Sequence, residues 1–232
     1  VNLVLLVEGA QTEPRVYEAW LNRWLPGLRP VQNVADLTTD GYAMVRGRGY
    51  PSCYRRIEGL VQDIAEHPGQ IDSFWLCLDS DEDSYADRLA EARAAIAEQI
   101  QKTRLGSLYP PFDVRVIVQH CCIETWFLGH SRFLRPGPQD PELVRFKRFY
   151  DVSADDPEEM PALAGYLTRQ SFHLAYLQAM CSERSAPYTK TKPGAVLAPP
   201  YFDALQERHG GTGHLQSFGV LLAALRAAGA AL

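Results

Sequence analysis

The chain lacks any apolar run of 18 residues, so no membrane-spanning helix is expected. It has no GxxxxGK(S/T) loop, and with that goes the strongest sign of a P-loop ATPase. Its five cysteines, at 53, 77, 121, 122 and 181, form no CxxC pair and leave one over. That pattern speaks for a reducing, cytoplasmic setting and against a zinc site. The six histidines show no metal-ligand spacing. No signal-peptide pattern opens the sequence, which starts directly in strand-like residues. A basic excess is also missing: 23 Lys and Arg stand against 28 Asp and Glu, a net charge of -5. This balance counts against a nucleic-acid coat protein. It leaves a metal-dependent enzyme open, because a cation bound by acids reverses the local sign. There is no internal repeat, and only the Ala-rich end is of low complexity.

What is present is a pair of apolar strands that each run into acid. Asn2-Leu3-Val4-Leu5-Leu6-Val7 leads into Glu8-Gly9, and Ser73-Phe74-Trp75-Leu76-Cys77-Leu78 leads into Asp79-Ser80-Asp81-Glu82-Asp83. In an open α/β sheet, ligands bind at the carboxyl ends of the strands. Carboxylates gathered there repel one another unless a cation neutralises them, and hard, oxygen-seeking Mg²⁺ or Mn²⁺ suits such donors.

Between these strands the periodicity predicts helices over 12–24, 53–65 and 84–100, with Thr12 as the first N-cap. A weaker strand is expected over 31–37, a Gly-rich loop over 41–51 and a β-branched strand over 114–118. Strands alternating with helices imply a mainly parallel, four-stranded sheet flanked by helices, an α/β core over 1–132. Beyond Pro136-Gly137-Pro138 the pattern is helical, over about 141–150, 160–181, 201–209 and 215–228. Residues 133–232 are therefore expected to form a helical C-terminal cap.

Glu8 would serve as a metal ligand and, at a strand end beside a permissive glycine, as the best candidate for proton transfer. Glu13 falls on the first helical turn, where favouring the helix dipole is an equally good reason for an acid. Asp79 and Asp81 alternate along extended backbone and need a turn to meet. Glu124 follows the last strand. Lys190 and Lys192 lie in a polar loop, where an ammonium can stabilise charge developing on a phosphate. Arg46 and Arg48 in the Gly-rich turn, together with Lys190, are candidate contacts for a nucleic-acid backbone. For each basic group a solvated surface is the plain alternative. Trp126, Phe127 and Cys77 read as core.

Three ordered segments carry a resemblance. Val7-Glu8-Gly9-Ala10-Gln11-Thr12-Glu13-Pro14-Arg15-Val16-Tyr17 resembles the first motif of Toprim domains in the variant found in OLD-family nucleases. Asp79-Ser80-Asp81 resembles the Toprim DxD motif, and Cys122-Ile123-Glu124-Thr125-Trp126-Phe127-Leu128 the segment after the last core strand in small standalone, RloB-like relatives. A weaker echo lies at Tyr188-Thr189-Lys190-Thr191-Lys192-Pro193-Gly194. The resemblance covers roughly the first 130 residues and lacks the ATPase half of OLD proteins. It implies a Toprim-like fold and a Mg²⁺- or Mn²⁺-dependent nuclease. Glu8, Glu13, Asp79, Asp81 and Glu124 would be its metal ligands, and Lys190 and Lys192 would assist catalysis. The expected substrate is nucleic acid, DNA foremost, with a role in defence against phage or mobile elements. A partner protein such as an ATPase is a further expectation. The alternative from another class is a non-catalytic Toprim module that binds a partner or a nucleic acid in a defence complex.

Overall fold

The computed structural model describes residues 1–103 and 113–232. The sheet has five parallel strands in the order β2-β3-β1-β4-β5: β1 Asn2–Val7, β2 Arg29–Val31, β3 Gly41–Arg46, β4 Ser73–Asp79 and β5 Asp113–Gln119. β1 pairs with β3 from Asn2↔Gly41 to Val7↔Arg46, and with β4 from Leu3↔Ser73 to Val7↔Cys77. Every residue of β1 and β4 is buried, as expected for strands covered on both faces.

The expected α/β class with a parallel sheet is found, with one strand more than expected. The segment read as a Gly-rich loop supplies β3, and the strand expected over 31–37 is replaced by the end of β2 and a 3₁₀ turn, Val34–Asp36. Asn33 and Asp36 explain the turn: the Asp36 carboxylate accepts from the Asn33 backbone at 3.2 Å and from its side chain at 2.9 Å. Short polar side chains bonding locally compete with a ladder. Thr12 is the first helical residue rather than the cap, which falls on Gln11.

Among the described residues the helices are α1 Thr12–Trp24, α2 Ser52–Glu66, α3 Tyr85–Thr103, α4 Ile123–Leu128, α5 Pro141–Phe149, α6 Arg169–Glu183, α7 Pro199–Thr212 and α8 Gln216–Ala227. Residues 160–168, expected to be helical, are not, and α6 starts at a capped Thr168 whose hydroxyl accepts from Ser171 N–H at 3.0 Å. α7 ends on Gly213 at φ +73°, a left-handed cap with its N–H on His209 O at 3.0 Å. None of the helices among the described residues is long and apolar enough to cross a membrane.

The chain forms two compact units: one of residues 1–78, 85–118 and 223–232, the other of 79–84 and 119–222. The first is built on the sheet. Val4, Leu6, Phe74, Leu76 and Val118 pack with Ile57, Val61 and Ile64 of α2 and Ile96 of α3. In the second, Phe146, Phe172 and Tyr176 form an aromatic cluster with centroids 5.2–5.9 Å apart.

Candidate functional site

In the first unit the turn after β3 is laced onto Glu8. The Glu8 N–H donates to Cys77 O at 2.9 Å, continuing the β1–β4 ladder. Its backbone oxygen accepts from Gly49 N–H at 2.9 Å, and Oε1 accepts from Tyr50 N–H at 3.1 Å. Gly47 is required here, since a Cβ would sit 2.8 Å from Cys53 Sγ and 3.0 Å from Glu8 O. Gly9 is needed for another reason: a Cβ there would collide with the carboxylate of Glu13, which folds back over it. The glycine beside Glu8 therefore admits a second acid. Arg46 and Arg48 are exposed and, with Arg56, Glu18 and Tyr42, line a cleft of about 560 Å³.

In the second unit, the segment after β4 runs beside the segment after β5. Ser80 N–H donates to Gln119 O at 3.0 Å, Asp81 N–H to Cys121 O at 2.9 Å, and Cys121 N–H to Ser80 Oγ at 2.8 Å. Two residues in this pair of segments are left-handed, Asp81 at φ +51° and Cys121 at φ +66°. Asp79 is buried and Asp81 half-buried, and Glu82 accepts from Arg169 N–H at 2.8 Å. Glu124, on the first turn of α4, is only 1% exposed. Its Oε1 accepts from the Tyr188 hydroxyl at 2.9 Å, while its Oε2 is buried with no hydrogen-bond partner among the described residues. Such an orphaned oxygen is costly in a low-dielectric interior. Burial foremost, and then the neighbouring Cys121, Glu124 and Asp79, push the Cys122 thiol well above its ordinary range, so both carboxylates act on the same buried point.

Tyr188 also carries the lysine loop. Thr189 and Lys192 pair across a tight turn, N–H to O at 3.1 and 3.0 Å, with Lys190 and Lys192 exposed on it. The acid and the lysines are thus linked through one tyrosine. Other basic groups serve the fold: Arg184 donates to Phe133 O and Arg132 O at 3.0 and 2.8 Å, and Lys147 to Pro136 O at 2.8 Å. Trp126 and Phe127 are fully buried, and burial raises the Cys77 thiol to about 12, so all three are core as read. His120 is half-buried, its pKa lowered by burial and by Arg169.

Among the described residues, one group of three or more His, Cys, Asp or Glu draws its ligand atoms within 4.8 Å of one another: Cys121, Cys122 and His173, all buried. Asp79, Asp81 and Glu124 do not form such a group. The cysteine spacing had pointed away from any such cluster. The adjacent Cys-Cys pair was its visible half, and a histidine on α6 completes it.

No family model, curated protein or solved structure matches the chain.

Proposed function

We propose that the protein is a Toprim-like, Mg²⁺- or Mn²⁺-dependent phosphodiesterase acting on nucleic acid, in the cytoplasm and in defence against mobile elements. The observation that carries this reading is the buried Glu124 Oε2, an oxygen without a hydrogen-bond partner that shares its surroundings with buried Asp79. A buried carboxylate oxygen left without a partner is costly unless a positive charge joins it. A hard divalent cation fits an all-oxygen donor set. Asp79, Asp81 and Glu124 would hold it, and Tyr188 would fix the Glu124 carboxylate so that Oε2 stays available. When bound, such a cation would supply Lewis-acid stabilisation of the phosphate and a more acidic water.

The protein's own groups would supply the rest. Lys190 and Lys192 would hold charge on the phosphate, and Arg46 and Arg48 would follow a nucleic-acid backbone. Glu8, as ligand and proton acceptor, and Glu13, as ligand, keep the roles expected of them from the sequence. The spacing of Asp79, Asp81 and Glu124, wider than a closed ligand set, favours a second reading: a non-catalytic Toprim-like module that binds nucleic acid or a partner such as an ATPase. The deciding experiment is cleavage of single-stranded DNA, double-stranded DNA and RNA with Mn²⁺ or with EDTA. Metal-dependent cleavage that Glu124→Gln abolishes supports the enzyme. Retained binding without cleavage of any substrate supports the module.

A further inference from the structure

The geometry points to a second, separate metal site: a Zn²⁺ ion held by Cys121 Sγ, Cys122 Sγ and His173 Nδ1. One ligand atom of each residue lies within 4.8 Å of the others, in a fully buried group. With Zn–S bonds of about 2.3 Å and Zn–N bonds of about 2.0–2.1 Å, ligand atoms around a tetrahedral ion lie about 3.5–3.8 Å apart. The atoms lie within 4.8 Å of one another, so modest side-chain rotation would close them onto an ion.

The backbone is shaped for it. Successive side chains of an extended segment point to opposite sides. Cys121 departs from that geometry at φ +66°, held there by its N–H on Ser80 Oγ at 2.8 Å and its carbonyl on Asp81 N–H at 2.9 Å. A non-glycine residue in that region costs about 1–3 kcal/mol and persists only where its surroundings enforce it. The kink is what lets two adjacent thiols share one side.

The histidine is oriented as a ligand. Its Nε2 lies 3.1 Å from the carbonyl of Met160, which can only accept. Nε2 therefore carries the proton, and the Nδ1 lone pair faces Thr125 Oγ1 at 2.8 Å. A metal-bound imidazole characteristically gives its other N–H to a carbonyl or carboxylate in this way. Thr125 Oγ1 is also 3.6 Å from Cys122 Sγ, an oxygen that could offer a fourth position.

Charge selects the ion. Zn²⁺ held by two thiolates makes a neutral group. Cu⁺ would leave one negative charge beside Asp79 and Glu124. Zinc here would tie the strand-end segment to α6, a role in folding rather than in phosphodiester chemistry.

The test uses the full chain, purified without chelator, and Co²⁺ as a spectroscopic stand-in for Zn²⁺. One equivalent of Co²⁺ should give sulfur-to-cobalt charge-transfer absorption, and one equivalent of Zn²⁺ should displace it. Cys122→Ser and Cys121→Ser should lose the band, while Glu124→Gln, Cys53→Ser and Cys181→Ser keep it. A wild-type protein without the band, or one that binds Cu⁺ but neither Co²⁺ nor Zn²⁺, overturns the assignment even if the serine variants fail to fold. Loss of the band in Glu124→Gln but not in Cys122→Ser overturns it as well.

Discussion

Tyr188 donates its hydroxyl to Glu124 Oε1 at 2.9 Å, and by doing so leaves Oε2 of the same buried carboxylate as the oxygen without a partner. A residue of the lysine loop thereby orients an acid of α4. Tyr188→Phe should orphan the second oxygen too, destabilising the protein by roughly 1–3 kcal/mol. Chemical denaturation measures this, and Mn²⁺ should narrow the gap between variant and wild type. An unchanged denaturation midpoint would show that the contact does not hold the carboxylate.

The acids after β4 should be felt in metal affinity. Asp79→Asn and Asp81→Asn keep the side-chain shape and remove the charge that a hard cation requires. Isothermal titration should give weaker Mn²⁺ binding for both variants. Equal binding by wild type and both variants would remove these residues from the site.

Lys190→Ala and Lys192→Ala should slow cleavage and spare metal affinity. Losing a preorganised contact to developing charge costs about 2.7–4 kcal/mol, on the order of 10²–10³ in rate. Arg46→Ala and Arg48→Ala should instead weaken substrate binding and flatten its dependence on salt. A lysine variant with full rate would return that side chain to the solvated surface.

Glu158 gives the fold a pH dependence. It is 4% exposed, and burial raises its carboxyl to about 7, against the bonds it receives from Ser217. Ser217 Oγ accepts from Trp126 Nε1 at 2.7 Å and from His120 N–H at 3.2 Å, and donates its own proton to Glu158. A raised folded-state pKa means that the native state holds the proton longer than the unfolded chain. Its stabilisation is complete below the unfolded value near 4.5 and is lost as pH rises to about 7. Wild type should lose stability across that window, by on the order of 3 kcal/mol at most, relative to Glu158→Gln. Parallel pH profiles for the two proteins would contradict this.

The helical spacing of Leu215, Phe218, Leu221, Leu222 and Leu225 predicts a buried face, and all five are buried. Phe218 meets Trp126 edge-on at 5.4 Å. Phe218→Ala should cost about 3–5 kcal/mol, measured as a lowered melting temperature. An unchanged melting temperature would make the contact incidental.

What was legible in the sequence was what local pattern determines. β1 and β4 are continuous apolar runs, and α2 has apolar residues at helical spacing; the helix expected over 201–209 is found as well, but it runs on through Gly210 and Gly211 to Thr212. β3 was hidden because Gly41-Tyr42-Ala43-Met44-Val45-Arg46 has a single β-branched residue, and its pairing along β1 decides its state. The acids could be read as strand-end residues one by one. That Tyr188 orients Glu124, or that His173 on α6 completes the pair of thiols, could not be read, because each joins residues far apart in the chain.

The proposed divalent cation on the buried carboxylates Asp79 and Glu124 is tested most directly by an anomalous-scattering map from crystals of the protein soaked in Mn²⁺. A peak is expected within about 2.0–2.6 Å of Glu124 Oε2, with Asp79 as a second ligand and loss of the peak in Glu124→Gln. A map with no peak at Glu124, or one unchanged by the substitution, would contradict it.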